Sequence, residues 1–78
     1  MSDAVNHPAH YISESGFETI EAIEGLTAGK DGIDAYCVGN IIKYISRYDK
    51  KNGLEDLNKA AWYLNYLIRR AELKDLKK

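Results

Sequence analysis

The stretch that decides the fold is Asp31–Leu73, DGIDAYCVGNIIKYISRYDKKNGLEDLNKAAWYLNYLIRRAEL. Apolar residues recur in it at three- and four-residue steps, which is the pattern of amphipathic helices. An Asn-Gly pair at residues 52–53 breaks the pattern and is typical of a turn. The stretch therefore predicts a long antiparallel helical hairpin, with helices over residues 31–48 and 54–75.

The sequence before this hairpin predicts one shorter helix. Ser15 and Glu18 have the spacing of a capping box, in which each residue caps a backbone group of the other. This spacing predicts a helix over residues 16–26, preceded by an irregular arm at residues 1–14. The whole chain of 78 residues is then one all-α domain.

Size and composition restrict the class of protein. A chain of 78 residues buries a small core and gains stability from self-association, so we expect a homo-oligomer. The net charge of −1 disfavours binding to a nucleic-acid polymer. The sequence lacks a secretory signal, a membrane-length apolar run and a second cysteine to pair with Cys37, so we expect a cytoplasmic protein.

Two apolar stripes lie on the last helix. The larger is predicted to form the hairpin seam and comprises Leu54, Leu57, Ala60, Ala61, Leu64, Leu67, Ile68 and Ala71. The smaller comprises Trp62, Tyr66 and Leu73, and one helical hairpin cannot cover both stripes. We expect the smaller stripe to be covered by the first helix and arm or to form an oligomer interface, where Trp and Tyr are enriched.

Each hairpin helix also carries a polar and aromatic stripe. On the first, these residues occupy positions i, i+3, i+4 and i+7: Asn40, Lys43, Tyr44 and Arg47. On the second, the matching residues are Asp56, Lys59, Tyr63 and Arg70. Arginine and lysine can bind a phosphate, and tyrosine can stack on a base. Lys43 and Arg47 could instead be solvated or pair with Asp56 or Asp49, and the tyrosines could be edges of the core.

The N-terminal segment NHPAHY, residues 6–11, has similar alternatives. His7, His10 and Tyr11 could contact a ligand, and the histidines could also act as acid–base groups or metal ligands. Such residues also commonly pin an arm onto a fold. We predict no metal site, and Cys37 is predicted to be a buried structural thiol. The sequence has no P-loop motif for phosphate binding.

Three segments, NHPAHY, FETIEAIE and GNIIKYISRYDKKNGLEDLNKAAWYL, resemble a small phage and prophage family called SaV-like, or domain-of-unknown-function family 3310. The resemblance covers about residues 6–68. A related domain occurs in a podophage nucleotide kinase that lacks a P-loop, so the resemblance implies a nucleotide ligand. The motif positions are His7, Pro8, His10, Tyr11, Gly39, Asn40, Lys43, Tyr44, Arg47, Lys51, Asp56, Leu57, Lys59, Ala60, Trp62 and Tyr63.

Three functions then compete. The first is non-catalytic binding of a nucleotide or cyclic nucleotide, which would suit a phage anti-defence sponge and needs no cofactor. The second is a deoxynucleoside monophosphate kinase or other phosphoryl-transfer enzyme, with Mg²⁺ and with a histidine or Asp56 as the acid–base group. The third is an inhibitor that docks on a host protein through Trp62, Tyr66 and Leu73.

Overall fold

A computed structural model describes residues 18–76 and contains three α-helices. These are α1 (Thr19–Thr27), α2 (Gly32–Arg47) and α3 (Leu54–Leu76), and a 3₁₀ turn at Tyr48–Lys50 follows α2. The all-α class and the hairpin formed by the last two helices are confirmed. The predicted arm at residues 1–14 lies outside the described residues.

Ion pairs at both ends of the hairpin show that α2 and α3 are antiparallel. Arg47, at the end of α2, pairs with Asp56 in the first turn of α3. Arg70, near the end of α3, pairs with Asp34 in the first turn of α2. Each pair therefore ties the end of one helix to the beginning of the other.

The helix starts follow local capping chemistry. The Asp31 side chain accepts a hydrogen bond from the Asp34 backbone N–H at 2.9 Å, which confirms the predicted cap of α2. The predicted start of the first helix at residue 16 is wrong, because Glu18 is extended and α1 begins at Thr19. The Glu18 backbone N–H donates to the Glu21 carboxylate at 3.1 Å, so the capping residues lie three positions later than expected.

Helix α2 is the central one of the three described helices. Helices α1 and α3 each pack on α2 and make few contacts with each other. At the α1–α2 contact, a Cβ on Gly39 would lie 3.2 Å from the Ile23 methyl, so glycine permits this close approach. Among the described residues the fully buried apolar ones are Cys37 and Ala60, so the helices enclose little core.

The predicted hairpin seam is wrong in part. Leu54, Leu64 and Ile68 are 71%, 49% and 45% exposed, whereas Ala60 from the same predicted stripe is buried. The face of α3 that packs on α2 keeps Ala60 and Leu67 of the predicted stripe and adds Asp56, Tyr63 and Arg70. This face is rotated by roughly 80° from the predicted one. The two ion pairs and the tyrosine contacts between the helices account for the rotation.

The structure confirms one further prediction about burial and shows which side chains stay exposed. Cys37 is 3% exposed, which confirms the buried thiol, and burial raises its pKa. Trp62 and Leu73 are 61% and 58% exposed, and Tyr66 is 38% exposed, so these three are not covered by α1. Within residues 18–76 no helix has the length and apolar character that a membrane crossing requires.

Candidate functional site

Three cations surround one tyrosine ring where α2 ends and α3 begins. Lys43 Nζ lies 4.6 Å from the centroid of the Tyr44 ring, Arg47 Cζ lies 5.1 Å from it, and Lys59 Nζ lies 5.5 Å from it. All three distances are within the range of cation–π attraction. We call Lys43, Arg47 and Lys59 the cationic cluster. The short connection between the helices brings the third cation, from α3, to the two on α2.

A buried carboxylate holds Arg47 in place. The side chain of Asp56 has no exposed surface, and its Oδ2 lies 3.4 Å from Arg47 Nε. Asn52 donates two hydrogen bonds to this carboxylate, one from its backbone N–H and one from its side-chain amide, both at 3.3 Å. Burial acts to raise the pKa of Asp56, but the bonds from Asn52 and the charge of Arg47 outweigh it and the pKa is lowered.

Asp56, which the sequence predicts as a ligand-binding residue, is fully buried in this structure and contacts Arg47 and Asn52. Its ionised carboxylate satisfies the backbone at the beginning of α3 and orients the guanidinium above it. Arg47 Nε is itself buried and lacks hydrogen-bond geometry to any described residue, so the pair is held by charge and packing. A long side chain is thus kept in one place beside Tyr44.

The cationic cluster is only partly neutralised. Asp56 offsets the charge of Arg47, and Glu55 lies 3.3 Å from Lys59 Nζ in an exposed i,i+4 pair. Exposed pairs of this kind are weak, so Glu55 can yield Lys59 to another anion. Among residues 18–76 no carboxylate forms an ion pair with Lys43. The site therefore retains positive charge that an anionic ligand could neutralise.

An aromatic groove runs from this cluster along the edge between α2 and α3. A cleft of about 290 Å³ at the cluster is lined by Tyr44, Lys59, Trp62 and Tyr63. Next to it an open depression of about 530 Å³ is lined by Leu54, Glu55, Asn58, Lys59 and Trp62. On the other side of Trp62, a hollow of about 210 Å³ is lined by Ile33, Tyr36, Cys37, Trp62, Tyr63 and Tyr66. Because Trp62 lines all three, they form one groove, of the size of small-molecule sites.

The rings in the aromatic groove contact one another in series. Tyr44 and Tyr63 are stacked with centroids 6.3 Å apart, and Trp62 meets Tyr63 edge to face at 5.1 Å. Trp62 and Tyr66 are stacked at 5.8 Å. The indole of Trp62 remains 61% exposed, so much of its surface is open to a flat ligand.

The structure brings together most of the residues predicted for the site. Lys43, Tyr44, Arg47, Lys59 and Tyr63 all line or border the aromatic groove. His7, His10 and Tyr11 lie outside the described residues. Asn40 is on the same helix, and its amide donates one of its two N–H groups to the Tyr36 carbonyl at 2.9 Å.

Two residues have contacts that the sequence does not indicate. Helical periodicity places Arg70 on one stripe with Asp56 and Lys59, but its Nε binds Asp34 at 3.0 Å at the opposite end of the hairpin. The sequence predicts Trp62 at an oligomer interface, and the structure shows that it lines the groove beside Tyr63. The clue to the first was the acidic first turn of α2, which faces the basic last turns of an antiparallel α3.

Tyr63 gives a testable pH dependence. A hydrogen bond with Tyr36, burial, and the nearby Tyr44 raise the pKa of Tyr63 to about 12. The unfolded chain loses this proton near pH 10, so Tyr63 stabilises the fold fully below about pH 10. That contribution is lost as the pH rises towards 12. Ultraviolet titration should show a late phenolate step that Tyr63→Phe removes.

The matched control for this titration is Tyr48→Phe, which removes an exposed tyrosine outside the aromatic groove. This variant should keep the late step. If the late step persisted in Tyr63→Phe, the assignment to Tyr63 would be wrong.

This helical hairpin with a flanking helix belongs to a known protein family. Residues 5–65 match the family described as protein of unknown function DUF3310, and the chain is a member of it. The matched span contains the cationic cluster, Asp56 and Trp62. The family resemblance inferred from the sequence motifs is thereby confirmed.

Two curated phage proteins are similar to this chain. The Gene 1.7 protein of Enterobacteria phage T3 is 42% identical over 65 residues, which cover 76% of this chain and 38% of that protein. The protein named nucleotide kinase gp1.7, of Escherichia phage T7, is 39% identical over 67 residues, which cover 78% of this chain and 33% of that protein. The chain thus spans little more than a third of the length of these relatives. No solved structure shows significant similarity to the chain.

Proposed function

We propose that this protein binds a nucleotide without transforming it, with phosphate at the cationic cluster and base in the aromatic groove. The observation that supports the proposal is the placement of three cations around Tyr44 at one end of a groove lined by Trp62 and Tyr63. A nucleotide combines in one molecule the two chemistries that this surface offers, an anion and a flat aromatic ring.

The charge of the cationic cluster supports the binding of phosphate there. Like charges repel, so three cations on one ring have a lower free energy when an anion lies between them. Asp56 neutralises only Arg47, and Glu55 meets Lys59 only in an exposed pair. Arg47 is held by its buried partner before any ligand arrives, which reduces the entropy lost on binding. The lysines add mobile charges on either side of it.

The exposed aromatic surface of the groove supports the binding of a nucleotide base there. Trp62 is 61% exposed and already stacks on Tyr66, so its ring is oriented along the groove. Stacking of a base on an aromatic side chain contributes about 1–3 kcal/mol. In this proposal Trp62 and Tyr66 belong to the ligand site and not to the oligomer interface expected from the sequence. Asn40 keeps a free oxygen to accept from a base or ribose.

A nucleotide kinase is the second candidate, and one relative carries that name. The chain spans 33% of that relative, so catalytic groups of the longer protein can lie outside the shared part. Asp56 is a poor acid–base group here, because its carboxylate is buried and bound by Asn52 and Arg47. His7 and His10 remain the candidate groups for that reaction, with Mg²⁺ on the phosphates. Within residues 18–76 no three His, Cys, Asp or Glu side chains cluster to hold a metal ion.

Non-catalytic binding would make the protein a sink for its ligand. The relatives are phage proteins. In a phage, such a sink would suit the sequestration of a nucleotide immune signal of the host. We therefore include cyclic dinucleotides among the ligands to be tested. The third function, inhibition of a host protein, would use the same exposed Trp62 and is distinguished by the absence of nucleotide binding.

The test combines native mass spectrometry of protein from a cell lysate with calorimetric titration of the purified chain. The probes are nucleoside mono-, di- and triphosphates, a cyclic dinucleotide and inorganic pyrophosphate. We expect a micromolar or tighter Kd for at least one nucleotide and weaker binding of pyrophosphate, which cannot stack. Incubation of a bound monophosphate with ATP and Mg²⁺ should leave it unchanged.

Two outcomes would count against this proposal. If every nucleotide bound more weakly than millimolar, the groove would not be a nucleotide site and the inhibitor function would be favoured. If ATP and Mg²⁺ converted a bound monophosphate to a diphosphate, the kinase function would replace the sink.

A further inference from the structure

The side of the hairpin opposite the aromatic groove is aliphatic. Val38, Ile41 and Ile45 lie on one side of α2 at i, i+3 and i+7, and the matching positions on α3 are Leu57, Leu64 and Ile68. At about 100° per residue, both sets lie to the same side of the seam of an antiparallel pair. The cationic cluster and Trp62 lie to the other side. We call these six residues the aliphatic face.

Half of the aliphatic face is exposed in the single chain. Ile45, Leu64 and Ile68 are 47%, 49% and 45% exposed, and the other three residues of the face are half-buried. Helix α1 does not cover this face, because it packs on the side of α2 that carries Gly39. Among the described residues only two apolar ones, Cys37 and Ala60, are fully buried, so the exposed part of this face is a large share of the apolar surface available for burial.

We propose that the aliphatic face is where two copies of this chain pair. A chain of 78 residues buries little surface by itself, so burial against a partner adds a large share of its stability. A second copy covers the exposed aliphatic side chains and makes them a core that the two chains share.

Charge selects a second copy as the occupant. Between Ala35 and Ile45 on this side of α2, and between Leu57 and Ala71 on α3, the side chains are uncharged. A two-fold interface places the same surface against itself, so it must lack uncompensated like charges. Interface cores are also depleted in charge. The cationic cluster on the other side could not pair with its own copy in this way.

The available area is of the right order. The uncharged stretches extend about 16 Å on α2 and about 22 Å on α3, and two adjacent helices are about 20 Å wide, so the shared face covers roughly 300–400 Å² in plan. Projecting side chains increase the accessible area beyond that. Stable interfaces bury about 800 Å² per partner, so this face would form the apolar centre of the interface and the polar residues that border it would form the rim.

The pairing is tested by sedimentation equilibrium of the full chain with two matched variants on α3. Wild-type protein should have twice the chain mass of 8.8 kDa at micromolar concentration. Leu64→Glu introduces a charge into the aliphatic face at a side chain already 49% exposed. It should weaken pairing at least about 100-fold, because each partner would bury an unpaired carboxylate. Leu73→Glu, on the groove side of the same helix, should leave pairing unchanged.

A second measurement covers the case in which Leu64→Glu does not fold. The melting temperature of a wild-type dimer rises with protein concentration, because dissociation accompanies unfolding. A melting temperature that does not change with protein concentration would overturn the proposal. A wild-type protein that sediments as a monomer even at about 100 times the micromolar concentration of the first measurement would overturn it as well. So would a Leu73→Glu protein that dissociates while Leu64→Glu stays paired, since the interface would then lie on the groove side.

Discussion

Replacement of Asp56 by alanine should lower the melting temperature by at least about 10 °C. The reason is the buried ion pair with Arg47, whose Nε lies 3.4 Å from a carboxylate with no exposed surface. Removal of one partner of a buried pair leaves the other charge without compensation. Two donors of Asn52, its backbone N–H and its amide, lose their acceptor at the same time. Thermal unfolding followed by circular dichroism measures the change.

Three comparisons isolate this effect. Asp49→Ala removes an exposed carboxylate from the adjoining turn and should shift the melting temperature by no more than about 3 °C. The double variant Asp56→Leu with Arg47→Met replaces the pair by apolar groups and should recover much of the loss. If Asp56→Ala unfolded at the wild-type temperature, the ion pair would not be a structural element of the fold.

Acid titration provides an independent check on the same pair. The pKa of Asp56 is lowered in the folded state, because the hydrogen bonds from Asn52 and the charge of Arg47 outweigh its burial. The unfolded state therefore takes up its proton first, and the contribution of Asp56 to stability is lost as the pH falls below about 4. Asp56→Asn should reduce this part of the acid dependence. If the stability of Asp56→Asn fell with pH as steeply as that of the wild type, the acid dependence could not be attributed to Asp56.

Combined replacement of Lys43 and Lys59 by glutamine should weaken nucleotide binding at least about 100-fold. Each lysine lies within 5.5 Å of the Tyr44 ring, and each would contribute a charge-assisted hydrogen bond to phosphate. Such bonds are worth roughly 1.5–3 kcal/mol, which is tenfold or more in Kd. Glutamine keeps most of the length of the side chain and removes its charge. Isothermal titration of the best nucleotide probe measures the loss.

The matched control is Lys30→Gln, in the exposed loop before α2 and therefore at the other end of that helix from Lys43. It removes one charge from the protein and should change the Kd by less than about threefold. Equal losses in the control and the cluster variants would show a general charge effect and not a phosphate site. The double variant should melt close to the wild type, because neither lysine is buried.

Arg47→Ala, the most obvious single substitution, is a less informative test of the site. It would remove a phosphate contact and also strand the buried carboxylate of Asp56. A weaker affinity of this variant for nucleotide could then result from a disturbed fold and not from the loss of a phosphate contact. The two lysines separate ligand binding from folding, since neither of them pairs with a buried charge: Lys59 meets Glu55 in an exposed pair, and Lys43 forms no ion pair among residues 18–76.

The sequence by itself determined the helices and much of the candidate site. The hairpin, the Asp31 cap and the turn before Leu54 depend on contacts between residues a few positions apart, which local patterns report. Arg47 lies near Lys43 and Tyr44 for the same reason, because the helical repeat alone places residues four and three positions apart next to each other. Family motifs added the expectation of a nucleotide ligand.

Only the tertiary structure decided which side of α3 meets α2. Periodicity favoured the most aliphatic stripe, but that choice would have separated Asp56 from Arg47 and Tyr63 from Tyr44. Contacts between helices depend on pairs of side chains distant in sequence, and helical periodicity contains no information about them. The observed rotation buries Asp56, turns Trp62 into the wall of a groove and leaves Leu64 in solvent.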